Sequence, residues 1–147
     1  AEELGIPRSR LGAVETHIHV PAGAIPKDGP SAGVAITVAL VSALTGRAVR
    51  GDVALTGEIT LRGRVLPVGG LKEKSVAAHR HGMRDVIIPA GNRRDIEELP
   101  TEVVADVRFH PVASVDDALA IALRPAARAE SRVTESRPTD APAARTH

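Results

Sequence analysis

The sequence is almost free of aromatic residues and contains no cysteine. Phe109 is the one aromatic among 147 residues, and tryptophan and tyrosine are absent. A buried core must therefore be built from Ala, Val, Leu and Ile, within a hydrophobic content of 43%. Without cysteine the chain has no disulfide framework, no thiolate nucleophile and no cysteine-based metal site.

A strong net charge and a long apolar run are missing as well. Nineteen basic and eighteen acidic residues leave a formal charge of +1, so no overall charge attracts nucleic acid or an acidic membrane surface. The longest apolar run has about a dozen residues, which is too short for a membrane-spanning helix. The first residues carry no basic stretch followed by an apolar core, the pattern of a signal peptide. We therefore expect a cytoplasmic protein without membrane contact.

Helical and strand-like patterns alternate along the chain, which predicts one domain of mixed α and β structure. Strands are predicted at residues 14–20, 52–59, 63–68, 85–89 and 106–112. Helices are predicted at residues 31–44, 71–81, 92–99 and 114–123. From residue 124 to residue 147, Pro, Ala, Arg, Ser and Thr dominate without periodicity, which predicts a disordered tail.

A lone serine, Ser31, precedes the first apolar helical segment in the stretch PKDGPSAG. One interpretation is a helix N-cap, in which the serine hydroxyl accepts a hydrogen bond from a free backbone N–H. The same position suits a nucleophile, because unpaired N–H groups at a helix start can hold an oxyanion and small neighbours leave room for substrate. A serine hydroxyl is a weak nucleophile until a base takes its proton. The serine therefore raises the question of a base.

The chain has three lysines, and two of them, Lys72 and Lys74, stand in GGLKEK at the start of the second predicted helix. Residues two apart on a helix point in different directions, so at most one of the two can face a buried site. A lysine acts as a base only when it is neutral, and burial among apolar groups is the effect large enough to neutralise it. The alternative is an exposed helix start with both lysines in water. Spacing alone does not bring either lysine to Ser31.

Together, PKDGPSAG and TGEITLRGRVLPVGGLKEK make the chain resemble the proteolytic domain of Lon-type ATP-dependent serine proteases. The resemblance extends from residue 1 to residue 123 and implies a compact α+β domain, a mixed sheet with helices packed on it. It implies a Ser–Lys dyad with Ser31 as the nucleophile. Lys74, 43 residues further along, is then the general base, and Lys72 is its exposed neighbour.

The resemblance also implies supporting residues around the dyad. Thr56 matches a threonine whose hydroxyl can hydrogen-bond the lysine, and the alternative is an ordinary strand threonine. Asp28 either orders the loop before the nucleophile or complements the helix dipole. His17 and His19 share one face of the predicted strand, as a metal pair would, but two histidines make an incomplete site. The family carries similar histidines beside its cleft, so we expect no metal and give His19 a supporting role.

The family hydrolyses peptide bonds in unfolded or damaged proteins, within homohexameric rings that an ATP-driven unfoldase feeds. No G-x-x-x-x-G-K-[ST] phosphate-binding motif occurs here. We therefore expect no cofactor in this chain, with ATP and magnesium serving a module outside it. The first strands of the family domain, upstream of AEELGIP, are expected to be missing.

Two hypotheses from other classes remain beside the endopeptidase. The chain could be an assembly module that contributes ring contacts without cleaving anything. It could also bind nucleic acid, but the near-neutral charge argues against such a role.

Overall fold

A computed structural model describes residues 4–19 and 30–125 of the chain. In these ranges, the strands are β1 (Val53–Leu55), β2 (Glu58–Ile59), β3 (Val65–Leu66), β4 (Asp85–Pro89) and β5 (Arg108–Val112). The helices are α1 (Arg8–Gly12), α2 (Gly33–Thr45), α3 (Leu71–Arg80), α4 (Thr101–Asp106) and α5 (Val115–Ala122), with a 3-10 helix at Ala90–Glu98. The order β1-β4-β5 forms a parallel sheet, and β2 and β3 form a separate antiparallel ribbon.

Strand β4 is buried on both faces and separates two apolar clusters. Ile87 belongs to the cluster that includes α2 and α5, whereas Val86 and Ile88 belong to the cluster that includes α3 and α4. Successive strand residues point to opposite faces, so a strand covered on both sides must be apolar throughout. The apolar run at 86–89 meets this requirement, and the predicted α+β class with helices on the sheet is confirmed.

Local sequence signals set several helix boundaries. α2 ends at Gly46, which takes a φ of +69° and donates its N–H to the Ser42 carbonyl. α5 opens on Ser114, which forms a capping box with Asp117. Both boundaries agree with the predictions from the sequence.

Two parts of the chain differ from the predictions. Residues 14–19 form no strand, because no neighbouring strand pairs with them within the described ranges and a strand depends on such a neighbour for its hydrogen bonds. The short helix α4 was not predicted, since six residues are too few for helical periodicity to show. The helix predicted at 92–99 is part of the 3-10 helix. Most of the predicted tail, residues 126–147, lies outside the described residues.

The helices of the described part of the chain include none that is long and apolar enough to cross a membrane.

Asp85, at the start of β4, is 1% exposed and is held by three basic side chains. Arg108 donates from Nε and Nη2 at 2.9 and 3.1 Å, and His110 Nε2 lies 2.7 Å from Oδ1. Arg50 donates to Asp85 and also to Asp52. Burial opposes ionisation, but the hydrogen bonds from His110, Arg108 and Arg50 outweigh it. They hold the pKa of the Asp85 carboxyl well below its usual range.

The Asp85 cluster predicts a loss of stability in acid. Between the lowered pKa of folded Asp85 and its unfolded reference of about 3.9, the unfolded state binds more protons. The contribution of Asp85 is therefore complete well above pH 4 and falls as the pH drops below about 4. Asp85→Asn should lower the free energy of unfolding at neutral pH by about 1–3 kcal/mol and flatten this acid dependence. Urea titrations from pH 7 to pH 3 measure both effects. An equal dependence of the unfolding free energy on pH in the two proteins would contradict this account.

Ser75, in α3, is fully buried, and its hydroxyl has no hydrogen-bond partner in the described part of the chain. An unsatisfied buried hydroxyl is destabilising, and alanine also favours a helix more than serine does. Ser75→Ala should therefore raise the free energy of unfolding by about 0.5–1.5 kcal/mol in urea titrations. Ser42→Ala is the matched control, because the Ser42 hydroxyl donates to the Arg47 carbonyl at 2.6 Å and its loss should destabilise. A destabilising Ser75→Ala would contradict the prediction.

Candidate active site

Ser31 lies in the turn immediately before α2 and is fixed through its backbone. Its carbonyl oxygen accepts hydrogen bonds from the Gly57 N–H at 2.9 Å and from the Thr56 hydroxyl at 3.3 Å. The Gly57 carbonyl in turn accepts from the Val34 N–H at 3.0 Å. The turn that carries the serine is therefore paired with the two residues that follow β1.

The capping interpretation of Ser31 is wrong. The N-cap of α2 is Ala32, one residue later, and no side chain caps this helix. A backbone turn replaces the cap, since the Gly33 N–H donates to the Pro30 carbonyl at 3.0 Å. Ser31 is half-buried, and its side chain is not used to start the helix.

A cavity of about 280 Å³ lies between the start of α2, the end of β1 and the first turn of α3. Three polar side chains line it, and the other lining residues are apolar. The lining comprises Ser31, Thr56, Lys74, Ala32, Ala35, Ala54, Leu55 and Val86. The serine of PKDGPSAG and the second lysine of GGLKEK therefore face the same space.

Lys74 reaches this cavity from the first turn of α3. Lys72 is exposed, whereas Lys74 is half-buried, as expected for two residues that point in different directions from one helix. Lys74 Nζ donates to the Gly69 carbonyl at 2.6 Å. Because a carbonyl can only accept, this bond orients one N–H of the lysine and leaves the remainder of the amine for other contacts.

Thr56 is 6% exposed and joins the serine turn to the sheet. Its N–H donates to the Ile87 carbonyl of β4 at 3.1 Å, which continues the pairing of β1 with β4. Its hydroxyl donates to the carbonyl of Ser31, so the threonine contacts the backbone of the serine while it shares the cavity with Lys74.

The other predicted site residues lie apart from this cavity or outside the described ranges. His17 and His19 are exposed and line a second, more apolar cavity of about 470 Å³ along α2. Ala32 and Ala35 line both cavities. Asp28 lies outside the described residues. Among residues 4–19 and 30–125, no three histidine, aspartate or glutamate side chains form a group that could hold a metal ion.

Gly57 and Asn92 do not line the cavity, but both are buried residues with tertiary contacts that the sequence analysis did not identify. A Cβ at Gly57, where φ is +153°, would lie 2.8 Å from Val34 Cγ2 and 3.0 Å from Val65 Cγ1. A glycine inside a strand-like run is a signal of such a close approach. Asn92 is buried and hydrogen-bonds the backbone of Val68. An asparagine in a charged segment gives no comparable signal.

Known proteins are similar to this chain over most of its length. The family model for the Lon protease (S16) C-terminal proteolytic domain matches residues 1–125. Lon protease 1 of Sorangium cellulosum is 59% identical over 124 residues, which are 84% of this chain and 15% of that protein. Lon protease of Escherichia coli K12 is 58% identical over 124 residues, which are 84% of this chain and 16% of that protein.

Lon protease of Chloroflexus aurantiacus is 52% identical over 140 residues, or 95% of this chain and 17% of that protein. The chain therefore spans about a sixth of the length of these curated relatives. It belongs to the family of Lon protease C-terminal proteolytic domains, which confirms the resemblance found in the sequence.

Gly57→Ala tests the close packing between the serine turn and the end of β1. The new methyl group would lie 2.8 Å from Val34 Cγ2, a distance that real Cβ atoms do not adopt, and 3.0 Å from Val65 Cγ1, which is a very close contact. The φ at this position is also strained for any L side chain. We expect a loss of about 2–3 kcal/mol in the free energy of unfolding, measured in urea. Gly51→Ala is the control, because a Cβ there has no neighbouring atom within 4 Å. Equal stabilities for the two variants would contradict the packing argument.

Proposed function

We propose that this chain is the proteolytic part of a serine endopeptidase in which Ser31 is the nucleophile and Lys74 is the general base. The observation that supports this most is the shared cavity, which is lined by one serine from the turn before α2 and one lysine from the first turn of α3. Membership of a proteolytic-domain family supports a serine protease role. Apart from Thr56, the rest of the cavity lining around the two side chains is apolar.

The neutral amine of Lys74 takes the proton from Ser31 Oγ as this oxygen attacks the carbonyl carbon of the peptide bond. A tetrahedral intermediate forms, and the protonated lysine then gives its proton to the leaving amide nitrogen. Lys74 then takes a proton from a water molecule as the water oxygen attacks the acyl carbon. The bond between Ser31 Oγ and that carbon breaks, and Lys74 returns the proton to Oγ. Each proton that the lysine accepts is passed on, so the dyad is regenerated.

Backbone N–H groups near the serine would stabilise the oxyanion of the tetrahedral intermediate. The N–H groups of Gly33 and Val34 are occupied by the carbonyls of Pro30 and Gly57. Those of Ser31 and Ala32 are not bonded to any residue of the described part, so they are the donors that we assign to the oxyanion.

We further propose that the substrates are unfolded or damaged proteins, delivered by an ATP-driven unfoldase within a cytoplasmic homohexamer. This follows the family resemblance and the coverage of the relatives, most of whose length lies outside the matched segment. The chain itself carries no phosphate-binding loop motif, so ATP and magnesium would act elsewhere in such an assembly.

Cleavage of an unstructured fluorogenic peptide without ATP tests the dyad. Ser31→Ala should reduce turnover to the uncatalysed background, because it removes the nucleophile that gives up the proton. Lys74→Met should reduce turnover by about 10²–10⁴-fold, because it removes the base that accepts the proton. Lys72→Met is the matched control, since this lysine stands two residues away and is exposed. Its turnover should stay within about twofold of wild type.

Turnover that stays near the wild-type value in Ser31→Ala or Lys74→Met would refute the dyad. A wild-type chain that forms rings in sedimentation but cleaves no peptide would favour the assembly module instead.

A further inference from the structure

The link between β3 and α3 is held by a side chain from the 3-10 helix. Asn92 is 5% exposed, and its Oδ1 accepts from the Val68 N–H at 3.0 Å while its Nδ2 donates to the Val68 carbonyl at 2.9 Å. The Asn92 side chain thus imitates the peptide group of a neighbouring strand just where the β2–β3 pairing stops, at Leu66. Nδ2 also donates to the Asp95 carboxylate at 2.7 Å, which fixes the orientation of the amide.

The residues after Val68 hold Lys74 at two points. The Gly69 carbonyl accepts from Lys74 Nζ at 2.6 Å, and the Gly70 carbonyl accepts from the Lys74 backbone N–H at 3.2 Å. Two successive glycines have little conformational preference of their own, so their position must be set by contacts from outside. The contact next to them in the chain is the pair of hydrogen bonds from Asn92.

A second contact brings the same two segments together. A Cβ at Gly91 would lie 2.5 Å from Pro67 Cγ, so the start of the 3-10 helix packs closely on the residue before Val68. Two consecutive residues of the 3-10 helix therefore hold two consecutive residues of the link. Gly91 packs on Pro67, and Asn92 hydrogen-bonds Val68.

We propose that Asn92 is a positioning residue for Lys74. It determines the position of the general base without contacting the substrate, and Asp95 holds the orientation of the Asn92 amide. This inference rests on the role proposed for Lys74. If Asn92 is removed, the Gly69–Gly70 link is free to shift, and both the carbonyl that holds Nζ and the first turn of α3 shift with it.

Peptide cleavage by Asn92→Ala tests the inference. A misplaced base should lower kcat by about 10–100-fold, while KM stays within about twofold because substrate contacts are unchanged. Arg93→Ala is the matched control, since Arg93 is the next residue of the same 3-10 helix and is exposed. It should leave both constants at their wild-type values.

The double variant Asn92→Ala/Lys74→Met separates positioning from a general effect on stability. If Asn92 acts through the lysine, the double variant should be no slower than Lys74→Met alone. A folded Asn92→Ala protein with wild-type kcat would overturn the inference. So would a double variant whose kcat falls below that of Lys74→Met by as much as Asn92→Ala alone lowers the kcat of wild type. Failure of the proposed dyad is distinct, because it appears as near wild-type turnover in Lys74→Met.

If circular dichroism shows that Asn92→Ala does not fold, Asp95→Ala decides the question. It removes only the bond that orients the amide, so we expect a severalfold drop in kcat with KM unchanged. A wild-type kcat for a folded Asp95→Ala protein would then overturn the inference.

Discussion

The two hydrogen bonds between Gly57 and the serine turn are the constraint on which the site depends. Gly57 donates to the Ser31 carbonyl and accepts from Val34, while Thr56 pairs with Ile87 of the central strand. The serine turn is thereby fixed against the parallel sheet. A Cβ at position 57 would lie 2.8 Å from Val34 Cγ2 in the first turn of α2. This glycine therefore determines how closely α2 can begin beside the end of β1.

Ser31 and Lys74 line one cavity because of the topology of the sheet. In the chain, α2 precedes β1 and α3 precedes β4. Each helix starts beside the end of the strand that follows it. Gly57 makes this contact for α2, and Asn92 makes it for α3. Since β1 and β4 are parallel neighbours, their carboxyl ends lie at the same edge of the sheet. Both helix starts therefore reach one cavity, although 43 residues separate the two side chains.

Sequence patterns predicted the elements whose signals are local, such as the apolar run of β4 and the capping box at Ser114. They did not predict contacts that depend on chain pairing. Ser31 resembled a helix cap because the tertiary bond to its carbonyl cannot be seen in the sequence. Asn92 was overlooked because its role depends on Val68, 24 residues away. The choice of Lys74 over Lys72 came from the family resemblance, and the cavity adds a geometric reason for it.

The most direct test of the account is a crystal structure of the chain after reaction with a peptidyl phosphonate, a reagent that modifies activated serines. The account predicts phosphorus bonded to Ser31 Oγ, with Lys74 Nζ within about 3 Å of that oxygen. It also predicts a phosphonyl oxygen that accepts from the backbone N–H of Ser31 or Ala32. Modification of a different residue, or a lysine amine that stays out of hydrogen-bond reach of the adduct, would contradict it.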